Sequence, residues 1–138
     1  MDGEPKDRSA PRRLDLAEGV LEALAAAATA AAPVEACGLL VGVNQAGQPR
    51  VLEVPTLPNR APDPRVGFEL EPAAWAAAEA AVRTRGLEVL GHWHSHPRGD
   101  PRPSDEDRWF AMPGAWSLVV TPAGDWSAWL APAAGPGS

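Results

Sequence analysis

The sequence predicts a mixed α/β (α+β) domain, a single β-sheet flanked by helices. Three observations carry this. Two alanine-rich stretches, 14–32 and 72–85, place apolar residues near a 3.6-residue period. Short apolar runs with β-branched members lie between and after them. Turn-forming residues then close two of these runs into hairpins. The resulting order is helix, hairpin, helix, strand, helix, hairpin, which calls for helices packed on a sheet.

The first twelve residues are polar and contain two prolines, and they are expected to form a disordered tail before a domain spanning 13–131. Residues 14–32 read as the first helix, with Leu14, Ala17, Val20, Leu21 and Leu24 on one face and Pro33 as its stop. Residues 37–43 form a central strand, 44–48 a hairpin turn, and 50–54 the returning strand. A proline-punctuated loop covers 57–64, and 66–70 is a short extended piece. Pro72 opens the second helix, which runs through Trp75 and Val82 to a stop at Gly86. Residues 87–93 form a buried strand. A third helix is expected from Ser104 to about Ala111, with Ser104 as N-cap and acids in its first turn. Strands at 116–121 and 126–130 make the last hairpin, and 132–138 form a loose tail rich in Pro, Gly and Ala.

The third strand leads into the most informative segment, His94-Ser95-His96-Pro97, followed by Ser104 and Asp107. Side chains on a strand repeat every two residues, so His94 and His96 share a side. The strand end supplies two imidazole nitrogens, and the following helix can bring one carboxylate over them. Two histidines and one acid suit zinc, and three protein ligands leave a fourth tetrahedral position open, as catalytic sites require. Singly, each residue has a plainer role: Ser104 and Asp107 form a capping box, and the histidines are polar residues at a strand end. Their crowding into fourteen positions, 94 to 107, favours the metal site.

Composition sets limits on function. The formal charge of −6 in 138 residues disfavours nonspecific nucleic-acid binding, which depends on neutralising phosphates. A single cysteine, Cys37, allows no intrachain disulfide and fits a reducing cytoplasm. The N-terminal residues lack the apolar core of a signal peptide, and the alanine-rich run carries Glu18 and Glu22, a poor membrane span. The expectation is a cytoplasmic protein with no membrane partner.

The motif resembles that of the JAMM (MPN-plus) metalloproteases: an upstream Glu, then His-x-His-Pro, six residues, Ser, two residues and Asp. Glu35-Ala36-Cys37-Gly38-Leu39-Leu40-Val41-Gly42 is similar to the family's Glu-x-x-Gly-Leu-Leu-x-Gly segment, and the likeness runs from about Leu14 to Leu130. The resemblance implies a cytidine-deaminase-like mixed sheet and one zinc ion per chain on His94, His96 and Asp107. It makes Glu35 the general base and Ser104 the oxyanion donor. A zinc-bound water has its pKa lowered towards about 7, and a nearby carboxylate can take its proton. Without the resemblance, Glu35 is only an acid just past a helix end.

Three neighbours have less definite parts. His92 shares the strand face of His94 and is expected to line the pocket or support the ligands. Cys37 is expected as a small buried thiol, with metal binding as the alternative. Asn59, in the proline-rich loop, suits either a turn or substrate contact. Trp93 faces away from the histidines, into the core.

The family resemblance also implies a substrate, a ubiquitin-like or sulfur-carrier protein cut after its C-terminal Gly-Gly, as in small stand-alone prokaryotic relatives. Three other functions fit parts of the pattern. The 96–104 loop is also similar to that of RadC-type proteins associated with DNA repair. Two histidines and an acid can form the facial triad of a non-haem iron oxygenase. A catalytically silent MPN scaffold is the third.

Overall fold

The computed structural model describes residues 13–103 and 114–131. Both expected tails and the expected helix carrying Ser104 and Asp107 lie outside the described residues. Seven strands form one sheet: β1 (Asp15–Leu16), β2 (Cys37–Gln45), β3 (Gln48–Glu53), β4 (Thr56–Leu57), β5 (Glu88–Ser95), β6 (Trp116–Val120) and β7 (Trp126–Leu130). Their spatial order is β1-β3-β2-β5-β6-β7, with β4 on the end of β2. The β1–β3 and β5–β6 pairs are parallel and the others antiparallel. Among the described residues two helices, α1 (Val20–Ala31) and α2 (Pro72–Arg83), pack on it. Among the described residues, no helix is long and apolar enough to cross a membrane.

Strand alternation sorts the core into two layers. Val20, Leu24 and Ala28 of α1 pack with Leu40, Trp93, Leu118 and Val120 on one face of the sheet. Leu39, Val41 and Val82 make a smaller cluster on the other, joined by Trp75 and Ala78 of α2. Trp93 is fully buried in the larger layer, as its position opposite the histidines predicts.

The hairpin between β2 and β3 turns on Ala46 and Gly47, both at positive φ (55° and 80°), the combination a two-residue type I′ turn demands. Close approaches explain two other glycines. A Cβ on Gly38 would lie 2.0 Å from the Pro55 carbonyl oxygen and 2.6 Å from Trp93 Nε1. One on Gly91 would lie 1.9 Å from the Trp116 carbonyl oxygen, where β5 and β6 meet.

Some boundaries differ from the sequence expectation. The first helix starts at Val20 rather than Leu14, because residues 15 and 16 pair with Arg50 and Val51 and Gly19 turns the chain at φ 87°. Leu14 is buried, but from the strand side of that turn. Residues 66–70 join no ladder of the sheet; their segment is tied to the preceding loop by Arg60 N–H donating to the Glu69 carbonyl (3.0 Å). The loop itself hides β4, which pairs Thr56 and Leu57 with Gly38 and Cys37.

Candidate active site

The sheet brings Glu35 beside the histidine motif by register. Cys37 stands opposite His94, Gly38 opposite Trp93 and Leu39 opposite His92. Ser95 N–H donates to the Ala36 carbonyl (2.9 Å), which carries the pairing past Cys37 and brings Glu35 to the end of β5 that leads into His96. Directly opposed residues and residues two apart share a face. Glu35, Cys37, His94 and His96 therefore share the face that carries α2. Glu35 and His94 are both buried, and His96 is partly exposed.

The two imidazoles converge. His94 Nε2 lies 3.2 Å from His96 Nε2, with the rings edge to face. Nitrogens each bound to one tetrahedral zinc ion at 2.0–2.1 Å stand about 3.3 Å apart, close to the separation seen here. His96 Nδ1 is 2.7 Å from the Asp100 carbonyl oxygen, which can only accept. That bond places the proton on Nδ1 and leaves the Nε2 lone pair for a metal. The backbone N–H of His96 donates to the Val120 carbonyl (2.9 Å), so β6 also holds the motif.

The loop carrying Asp100 is braced in turn. Arg102 donates through Nε and Nη2 to the Asp100 carboxylate, and these hydrogen bonds hold that acid down to about 2. Ser127 Oγ on β7 donates to the Pro101 carbonyl (2.5 Å).

An aromatic layer closes over the histidines. Phe68 stacks on His94, with ring centroids 4.2 Å apart and planes 16° apart, and also lies 5.4 Å from His92. Trp75 of α2 approaches His92 at 6.2 Å, and Ser117 Oγ on β6 lies 3.4 Å from His92 Nε2. His92 is thus buried beside the pair, in contact with Phe68, Trp75 and Ser117. The residues passed over in the sequence are Phe68 and Ser117. Only the two-residue alternation through Phe68 and Leu70 hinted that this segment faces the sheet.

Cys37 is fully buried and donates to the carbonyls of Leu57 (3.6 Å) and Pro58 (3.8 Å). Burial first, and the charge of Glu35 second, push its thiol up to about 12, so it stays protonated. Asn59 organises the loop: its amide nitrogen donates to the carbonyls of Glu35 (2.9 Å) and Gly67 (3.0 Å), and its oxygen accepts from Ala61 N (2.9 Å) and Glu69 N (3.1 Å). With all four bonds made, its side chain shapes the rim around Glu35. Ser104 and Asp107 lie outside the described residues, and among those described no three acids, cysteines or histidines converge on one point.

The family model described as prokaryotic homologs of the JAB domain matches residues 17–131. A desampylase of Haloferax volcanii is 38% identical over 93 residues, covering 67% of this chain and 66% of the relative. A Thermus thermophilus protein described as a probable TtuB-protein conjugate cleaving protease is 37% identical over 89 residues, covering 64% and 57%. The chain spans about two thirds or less of the length of these curated relatives. A JAB1/MPN domain protein from Archaeoglobus fulgidus has a similar fold, with a TM-score of 0.58, 25% identity and coverage of 86% of this chain and 89% of that one. The chain belongs to the prokaryotic branch of the JAB (JAMM/MPN) domain family.

Proposed function

We propose that this chain is a zinc-dependent isopeptidase that cleaves after the C-terminal Gly-Gly of a ubiquitin-like or sulfur-carrier protein. The observation that carries it is the 3.2 Å approach of His94 Nε2 to His96 Nε2 on the face shared with Glu35. The donor set fits zinc: two imidazoles, one with its other nitrogen tied to a carbonyl, leave room for an acid. His94, His96 and Asp107 would hold one ion per chain. A zinc ion there supplies a Lewis acid for the scissile carbonyl and acidifies water.

The chain's own groups do the rest. Glu35 takes a proton from the attacking water and returns it to the departing amine. Ser104 donates its hydroxyl to the oxyanion that forms on the scissile carbonyl. Phe68 and Trp75 wall the pocket against bulk water. The outer side of β4 is paired with no strand among the described residues and offers main-chain groups to an extended tail. Relatives described as a desampylase and a conjugate cleaving protease support a protein conjugate as substrate. We place the activity in the cytoplasm, where the lone thiol stays reduced.

The test is metal analysis of the purified chain together with mass spectrometry of a Gly-Gly-linked conjugate incubated with it. One zinc per chain and release of the intact carrier are expected. Glu35→Gln keeps zinc and loses about 10²–10⁴-fold in kcat, whereas His94→Ala or Asp107→Ala loses the metal. Iron in place of zinc with a requirement for oxygen would replace hydrolysis by an oxygenase function. Full turnover by Glu35→Gln would remove the general-base mechanism.

A further inference from the structure

We propose that Ser95, the spacer between the two histidines, is a positioning residue for Glu35. This rests on the hydrolytic function above and adds a residue to it. In a regular antiparallel ladder, opposed residues exchange two main-chain hydrogen bonds. At Ala36 and Ser95 one of the two is regular: Ser95 N–H donates to the Ala36 carbonyl (2.9 Å). In the other, the Ala36 N–H donates to Ser95 Oγ at 2.8 Å, where a regular pair would use the Ser95 carbonyl. The side chain is fully buried.

This exchange has two consequences. Ser95 ends β5, and His96 N–H donates to Val120 on β6 (2.9 Å), the opposite side from β2, as alternate residues of a strand between two neighbours do. The hydroxyl thus takes the place of the Ser95 carbonyl as acceptor for the Ala36 amide at the end of the ladder. The peptide after Glu35 is thereby tied directly to the residue between the two histidines. Two main-chain ties on Glu35 run to the loop: its N–H donates to the Pro64 carbonyl (2.7 Å), and its carbonyl accepts from Asn59 Nδ2 (2.9 Å). Of these contacts, only the pair with Ser95 sets the distance between the acid's backbone and the histidine strand. A misplacement of about 1 Å at a reacting group can cost on the order of 100-fold in rate.

The experiment compares Ser95→Ala, Ser95→Thr and Glu35→Gln with the wild-type protein. Ser95→Ala removes the acceptor, and Ser95→Thr keeps it with a side chain suited to a strand. Three quantities are read: kcat and KM on a Gly-Gly-linked conjugate, zinc affinity by chelator competition, and hydrogen exchange of the Ala36 amide by NMR. Expected for Ser95→Ala is a fall of about 10- to 100-fold in kcat, with KM and zinc affinity unchanged and faster exchange at Ala36. Ser95→Thr restores both kcat and exchange protection. Wild-type kcat in Ser95→Ala, a parallel loss of zinc, or a failure of Thr to rescue overturns the proposal. If Ser95→Ala does not fold, Ser95→Cys, a weak acceptor of similar size, takes its place with the same criteria. Loss of turnover in Glu35→Gln with wild-type turnover in Ser95→Ala overturns only the role of Ser95, whereas full turnover in Glu35→Gln removes the general-base role of Glu35 on which the proposal rests.

Discussion

Gly38→Ala is the sharpest perturbation of the scaffold beneath the site. Gly38 lies between Cys37 and Leu39 on β2, opposite Trp93 and paired with Thr56 of β4. An added methyl would stand 2.0 Å from the Pro55 carbonyl oxygen and 2.6 Å from Trp93 Nε1. Carbon atoms do not approach so closely, so the backbone at Pro55 must retreat. That retreat breaks the bond from Leu39 N–H to the Pro55 carbonyl (3.0 Å). Forcing a methyl into a packed site costs about 1–3 kcal/mol, and the lost hydrogen bond adds about 1 kcal/mol, giving roughly 2–4 kcal/mol. For a domain near this size each kcal/mol lowers the midpoint by about 2–4 °C, so Tm falls by roughly 10 °C. Thermal denaturation followed by circular dichroism, with a urea titration in parallel, reads this directly. A variant that melts with the wild type would refute the close packing of β2, β4 and Trp93, and with it the register that sets Gly38 against Trp93.

Two other outcomes follow from the pocket. Phe68→Ala removes a ring stacked at 4.2 Å on His94, an interaction worth about 0.5–1.5 kcal/mol, so zinc affinity by chelator competition falls by up to about tenfold; an unchanged affinity would show that the stacking does not orient the ligand. Cys37, fully buried with its thiol pushed up to about 12, resists iodoacetamide at pH 8 in the folded protein and reacts on denaturation, as mass spectrometry of the labelled chain would show. Labelling of the folded protein at the rate of free cysteine would contradict the burial.

Much of the frame was legible because its signals are local. The alternation in β5, the turn at Ala46 and Gly47, and Pro72 at the head of α2 depend on neighbours in sequence. The start of α1 was misjudged because Leu14 and Ala17 fall at helical spacing, while the pairing that makes 15–16 a strand comes from Arg50 and Val51. Gly19 was the local sign of the break. In the site, the shared side of His94 and His96 followed from strand geometry. The nearness of Glu35 to His96 depends on register between strands far apart in the chain, which no spacing reveals; only the family resemblance pointed to it. Phe68, Ser117 and Ser95 stay hidden for the same reason, since stacking on His94, contact with His92 and bonding to Ala36 are made only by the folded sheet.

The central claim is that His94 and His96 together grip a zinc ion through their Nε2 atoms. A crystal of the zinc-loaded protein, with anomalous data on both sides of the zinc absorption edge, tests it most directly. One strong zinc peak about 2.0–2.1 Å from both Nε2 atoms is expected. A peak elsewhere, ligation through Nδ1, or no peak with the two rings joined only by a hydrogen bond would contradict it.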